Sequence, residues 1–167
     1  MNILNLTIKN SYAHKNTTIK FEEGVNYILG KNESGKSEAL EMIAYALFGT
    51  SALRTAASEY KALEVTMTFK VGSSTYIVDR SKKTTLVEVI IDKDGTKIKD
   101  IAVSKTAVNT AIIDLLGYNI DVYNKLNFSK QLEGSAFATT NKSGRLDLIN
   151  KINGVDEANL LETFLDK

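Results

Sequence analysis

The sequence predicts an α/β lobe with an antiparallel β-subdomain, on three observations. Residues 30 to 37 read Gly30-Lys31-Asn32-Glu33-Ser34-Gly35-Lys36-Ser37, a full match to the phosphate-loop pattern G-x-x-x-x-G-K-[ST]. A short apolar run, Val25 to Leu29 broken only by Asn26, leads into that loop, and a helical apolar face follows it. Further on, three segments of alternating polarity are separated by turn residues. Four fixed positions alone recur by chance about once in a few hundred chains of this length. Strand, loop and helix in this order are the context that gives the motif its meaning.

The elements follow in order. Asn2 to Lys9 alternates, with Ile3, Leu4, Leu6 and Ile8 apolar, and reads as a strand. Asn10 to Asn16 is polar and loop-like, Thr17 to Phe21 is a second strand, and Glu22-Glu23-Gly24 is a turn. Val25 to Leu29 suits a buried strand. Leu40, Ile43, Ala44 and Leu47 stand at i, i+3, i+4 and i+7, one face of a helix that Gly49 ends. Leu63 to Val71, Thr75 to Asp79 and Leu86 to Ile91 read as antiparallel strands, with hairpin-type turns at Gly72-Ser73 and Asp94-Gly95. Val65, Met67 and Phe69 alternate with Thr66 and Thr68, so one face is buried. Ser104 to Leu116 is a helix with Val108, Ala111, Ile112 and Leu115 on one side, stopped by Gly117. Asp121 to Phe128 is expected to be a strand. Asn141 to Asn153 is helical, with Leu146, Ile149 and Ile152 apolar, and Gly154 interrupts it. Residues 155 to 167 form an amphipathic helix through Ala158, Leu161 and Leu165, either the root of a coiled coil or a capping helix. With no repeat and no low-complexity linker, residues 1–167 are expected to be one domain.

The loop's chemistry follows from its residue types. Its glycines let the backbone turn tightly and aim several N–H groups at one point. With the start of the next helix they make an anion site suited to a β-phosphate. Gly30, Asn32, Glu33, Ser34 and Gly35 build the loop, Lys36 reaches β- and γ-phosphates, and the Ser37 hydroxyl is a Mg²⁺ ligand. The expected cofactors are therefore ATP and Mg²⁺.

Composition narrows the rest. The 167 residues are 43% hydrophobic and 25% charged, ordinary for a globular domain with a real core. Without cysteine there is no disulfide framework, thiolate metal site or cysteine nucleophile, which fits a reducing compartment. No apolar run has the length of a membrane span and no signal-peptide layout opens the chain, so no membrane partner and a cytoplasmic location are expected. A net charge of +1 exerts no global pull on nucleic acid, so any DNA contact needs a local patch. Lys82, Lys83, Lys93, Lys97 and Lys99 around the hairpins are either that patch or solubilising residues. His14, the only histidine, is either functional or a satisfied structural residue.

The run Tyr27-Ile28-Leu29-Gly30-Lys31-Asn32-Glu33-Ser34-Gly35-Lys36-Ser37, with the helix ending Ala44-Tyr45-Ala46-Leu47-Phe48-Gly49, resembles the N-terminal ATPase lobe of the SMC-like, SbcC-type recombination nucleases of bacteria and phages. Phe128-Ser129-Lys130-Gln131 resembles that family's Q-loop, in which Gln131 would bind Mg²⁺ and sense the γ-phosphate. Arg145-Leu146-Asp147-Leu148-Ile149 with Gly154-Val155-Asp156 is similar to the segment that leads into the family's coiled coil. The resemblance implies an ABC/SMC-type P-loop NTPase lobe with nucleotide contacts from Gly30 to Glu38 and Gln131, and metal contacts from Ser37 and Gln131. It also implies ATP-sandwich dimers, a C-terminal ATPase lobe or second copy as partner, a metal-dependent nuclease partner, and DNA reached through that complex.

The sequence departs from this pattern in four ways. It ends where the coiled coil should begin, and it has no Walker B run and no Ser-Gly-Gly signature, so no catalytic set is complete in this chain. Asn10-Ser11-Tyr12-Ala13-His14 stands where many relatives carry an arginine near the nucleotide, and Tyr12 cannot replace a phosphate-pairing guanidinium, though Lys15 could. Glu38 stands where a hydroxyl residue usually holds the α-phosphate. A carboxylate about 6 Å from a phosphate, at an effective dielectric near 20, is repelled by roughly 2–3 kcal/mol per unit charge. Rotated out to solvent, it would matter little and would favour the helix start by about 0.3–1 kcal/mol. Glu133 reads as a solvated carboxylate rather than a base. Two functions of different class follow: half of an ATPase, or a stand-alone non-enzymatic module that binds or blocks a related ATPase or nuclease.

Overall fold

The computed structural model describes residues 1–92, 95–126 and 141–152. The chain divides into two compact units, Met1–Leu116 and Gly117–Lys167. In the first, strands β1 (Asn2–Lys9) and β2 (Asn16–Lys20) precede the phosphate loop and helix α1 (Lys36–Phe48). Short 3₁₀ turns at Gly49–Ala52 and Ala57–Glu59 lead to β3 (Glu64–Val71), β4 (Ser74–Arg80), β5 (Thr84–Asp92), β6 (Gly95–Val103) and α2 (Lys105–Leu116). The six strands form one sheet in the order β2-β1-β3-β4-β5-β6, antiparallel throughout.

Register explains where the core sits. Leu6 pairs with Met67, Met67 with Val78 and Val78 with Leu86, a single row across four strands, and each of these side chains is fully buried. Period-2 alternation puts such residues on one face. Helix α1 covers that face over β1, β3 and β4, and α2 covers it over β5 and β6. Met42, Ala46 and Leu47 of α1 and Val108 and Ile112 of α2 are fully buried there. Burying each large apolar side chain stabilises the fold by about 1.5–3 kcal/mol. The next row of the sheet begins apolar, Ile8 opposite Val65, and then turns polar with Arg80 and Thr84. Arg80 is thus delivered by strand alternation to the buried face, 3% exposed.

Four expectations are corrected. Val25 to Leu29 is not a strand: it runs outside the sheet, with Val25, Tyr27 and Leu29 79%, 83% and 87% exposed. A strand exists only through ladder partners, and no described strand pairs with this segment. Instead Asn26 closes the turn behind it, accepting from the Glu22 N–H and donating to the Glu22 and Gly24 carbonyls. Second, Leu40 of the expected apolar face is largely exposed, while Ile43, Ala44 and Leu47 are buried as expected. Third, β6 is a strand that the alternation did not mark, because Lys97, Lys99 and Asp100 interrupt it at the sheet edge.

The fourth lies in the second unit. The expected strand from Asp121 is helix α3 (Ile120–Leu126). Asn119 caps it, its side-chain oxygen accepting from the N–H groups of Asp121 and Val122. That cap satisfies donors a strand would not present, and Asp121 adds a favourable charge to the first turn. Helix α4 (Lys142–Ile152) is capped in the same way by Asn141, and its Leu146 and Ile149 are exposed.

Candidate functional site

The phosphate loop is held in shape by its own glycines. Gly35 adopts φ 86°, ψ 9°, and a Cβ there would lie 2.6 Å from both Ala13 Cβ and His14 Nε2. At Gly30 a Cβ would lie 2.5 Å from Ser34 Oγ, so a side chain there would require that hydroxyl to turn away. Glu33 is also left-handed, at φ 64°. A left-handed residue two before Gly35 coils the loop so that successive N–H groups turn inward. The Ser34 N–H closes the turn onto the Lys31 carbonyl at 3.3 Å.

Lys36 folds back across this loop. Its ammonium donates to the Gly30 carbonyl at 2.9 Å and the Lys31 carbonyl at 2.6 Å. The charge is therefore held over the mouth of the loop, half-buried, where an incoming phosphate would meet it. Helix α1 starts at the same residue, and no side chain caps it at Gly35. Among the described residues the N–H groups of Lys36, Ser37 and Glu38 have no hydrogen-bond partner. Unpaired donors with the positive end of the helix dipole form an anion site by construction. Asn32, Glu33, Ser34 and Ser37, its neighbours in the chain, are all exposed.

The β1–β2 loop braces this helix start at three points. Glu38 takes the Tyr12 N–H on Oε1 at 3.0 Å and the Ala13 N–H on Oε2 at 2.8 Å. Neither orientation expected from the sequence is taken, and neither Lys31 nor Lys15 pairs with the carboxylate. His14 is buried, with Nε2 3.1 Å from the Gly35 carbonyl and Nδ1 3.1 Å from Thr17 Oγ1. A carbonyl only accepts, so Nε2 carries the proton. The Gly35 carbonyl also accepts the Ala39 N–H at 2.9 Å, the first bond of α1. His14 is thus a satisfied residue that fixes the last peptide of the loop.

Tyr12 stands beside this brace. Its hydroxyl donates to Glu59 Oε2 at 3.2 Å, and its ring lies 4.7 Å from that of Tyr60. Burial, and then the carboxylates of Glu41 and Glu38, push the Tyr60 phenol up to about 12. Sequence reasoning missed these braces because a bond between residues 12 and 38 leaves no local pattern. The spacing of His14 and Gly35 shows nothing either until β1 and α1 are packed.

Among the sequence-predicted site residues, the structure brings Gly30 through Glu38 together at one helix start. Gln131, Glu133 and the 155–167 segment lie outside the described residues, as does Lys93. Lys82 and Lys83 are exposed, and Lys99 lies 4.0 Å from Glu88. No group of three or more His, Cys, Asp or Glu residues that could hold a metal occurs among the described residues. No helix among them is long and apolar enough to cross a membrane.

A glycine loop closed on its lysine, ahead of an uncapped helix on a mixed α/β frame, defines a P-loop NTPase lobe. The model of the AAA domain family matches residues 5–165. A relative named DNA double-strand break repair Rad50 ATPase, from Methanocaldococcus jannaschii, is 30% identical over 91% of this chain and 15% of its own length. The protein of the same name from Thermoplasma acidophilum is 32% identical over 93% of this chain and 18% of its own. The Deinococcus radiodurans protein named as the C component of nuclease SbcCD is 26% identical over 98% of this chain and 20% of its own. The chain belongs to the AAA domain family, within which it is an N-terminal ATPase lobe of the SMC-like, SbcC type. It spans a fifth or less of the length of these three relatives.

Proposed function

We propose that this chain is the ATP–Mg²⁺-binding half of an SMC/SbcC-like ATPase that acts in DNA-end processing with a metal-dependent nuclease. The observation that carries the reading is the Lys36 ammonium held over a loop of left-handed backbone at an uncapped helix start. These residues fit a chain of phosphates: Lys36 and the free N–H groups for the anion, and the Ser37 hydroxyl with Gln131 for Mg²⁺. When bound, ATP supplies the γ-phosphoryl bond whose hydrolysis does the work. The residues of this chain bind and orient it; they offer no base to direct the attacking water.

The exposed segment before the loop supports a partner lobe. Val25, Tyr27 and Leu29 are alternate residues of a β-prone run, so extended backbone puts them on one face. A cavity of about 450 Å³ opens beside it, lined among others by Leu4, Phe21, Asn26 and Lys70. A C-terminal lobe that pairs with this segment would bury those side chains and complete the sheet around the loop. Relatives named for DNA double-strand break repair and for the nuclease SbcCD support this reading.

Calorimetry tests the binding half of the reading. Lys36 makes charge-assisted contacts worth about 1.5–3 kcal/mol each, so Lys36→Ala weakens ATP–Mg²⁺ binding tenfold or more. Equal affinity for both proteins would overturn it. Turnover tests the rest: the isolated chain hydrolyses ATP at background rate. Mixing with a C-terminal half that carries Walker B and signature residues restores turnover, and Gln131→Ala abolishes the gain. Robust Lys36-dependent hydrolysis by the 167-residue chain alone would refute the half-ATPase model and point to Glu133.

A further inference from the structure

We propose that the far end of α1 holds a monovalent anion of chloride size, in a cavity of about 30 Å³ formed by Arg80, Asn109, Lys105, Thr84, Thr50 and Tyr45. Arg80 brings an unbalanced charge to this place. It is 3% exposed, and no carboxylate lies within salt-bridge distance of it among the described residues. A buried cation without a counter-charge is costly, and proteins usually provide one. Nε and Nη2 of Arg80 donate to the Ala46 and Leu47 carbonyls at 2.9 and 2.8 Å, whereas Nη1 has no partner among the described residues.

The free nitrogen lies beside Gly49 and Asn109, which line the same cavity and pack closely there. The point where a Gly49 Cβ would stand lies 3.4 Å from Arg80 Nη1 and 3.2 and 3.4 Å from Oδ1 and Nδ2 of Asn109. Asn109 Oδ1 is itself buried and unpartnered. With its amide flipped, Asn109 offers an NH₂ in place of that oxygen, and an anion in the cavity that they both line accepts from Arg80 and Asn109 together. Lys105 adds a second positive charge, and no acidic residue lines the cavity. Burial lowers the Arg80 guanidinium to about 10, the sign of a charge whose solvation has not been replaced. The volume admits one or two water-sized particles, so a halide fits and a nucleotide phosphate does not.

Thermal unfolding at fixed ionic strength, with chloride replacing gluconate, tests the site. The expected result is a saturable rise in Tm, about 3 °C at a tenfold excess over Kd. Lys105→Met, at an exposed position, and Asn109→Leu should each raise the half-saturating concentration at least fivefold while leaving the non-saturable salt slope unchanged. Crystals soaked in bromide should show an anomalous peak next to Arg80 Nη1. A Tm that varies without saturation, a saturable rise equal in all three proteins, or a bromide-free cavity holding only a bridging water would each overturn the proposal. ATP binding does not enter this test, so its result stands apart from the fate of the phosphate loop.

Discussion

The two ends of helix α1, about 20 Å apart for its 13 residues, are finished in opposite ways. At the C-terminal end every one of the last four carbonyls has a partner. The Tyr45 oxygen takes the Gly49 N–H, Ala46 and Leu47 take Arg80, and Phe48 takes the Ser51 hydroxyl at 2.9 Å. At the N-terminal end the N–H groups of Lys36, Ser37 and Glu38 are left without one among the described residues. Helix ends are polar and must be satisfied by something. The chain closes the carbonyls at the core end with its own residues, whatever fills the small cavity beside Arg80, and leaves the N–H groups at the other end unpaired.

Arg80 is where this division breaks with the largest effect. Arg80→Met removes two charge-assisted hydrogen bonds from buried carbonyls and should cost about 3 kcal/mol, read from urea unfolding. The surviving folded protein should bind ATP–Mg²⁺ within about twofold of the parent. A stable variant would mean that the carbonyls find other donors; a folded one that has lost ATP would mean the two ends are not independent.

Lys36→Ala is the mirror experiment. Its affinity loss should come with a stability change below about 0.5 kcal/mol, because the ammonium bonds only to exposed loop carbonyls. A large drop in stability would make the loop part of the core.

Glu38→Thr sharpens the boundary between the two roles. The carboxylate bonds to the Tyr12 and Ala13 N–H groups, so its loss should destabilise by about 1 kcal/mol through the β1–β2 loop. ATP affinity should not rise. A tighter-binding variant would show that the charge still repels phosphate despite those bonds.

The smallest effect concerns alkaline pH. Tyr60, beside the loop, has its phenol raised to about 12, as does Tyr123 in the second unit, where burial is the first cause. A raised phenol pKa means the folded state holds its proton more tightly. The stability it contributes is full below the unfolded value near 10 and is lost as pH climbs through 12. Absorbance titration of the seven tyrosines should therefore show Tyr60 and Tyr123 among the last to ionise, with Tyr12, Tyr45 and Tyr118 also delayed by burial. Tyr60→Phe should remove one late titration and leave the other; ionisation of all seven near pH 10 would contradict both assignments.

Legibility differed between these parts for physical reasons. Strands β1 to β5, helices α1, α2 and α4, and the Gly30–Ser37 loop were legible because each follows a local period or a fixed spacing. The missed elements were those whose state depends on neighbours. Val25 to Leu29 has strand composition, but a strand without a ladder partner is only extended chain. The reverse holds for β6, whose lysines obscure the alternation while β5 supplies the ladder. Asp121 was drawn into α3 by a single capping side chain, Asn119, which outweighs the β-branched residue beside it.

Within the candidate site, the sequence by itself determined the phosphate loop, its two glycines, and the lysine and serine that follow. These act over eight consecutive residues, where backbone geometry leaves few choices. Only the tertiary structure decided that Glu38 braces Tyr12 and Ala13, that His14 pins the Gly35 carbonyl, and that Arg80 closes the far end of α1. Each of these joins residues 21 to 34 positions apart. The partner of a polar group at that separation is set by which strands and helices pack together, not by any pattern along the chain.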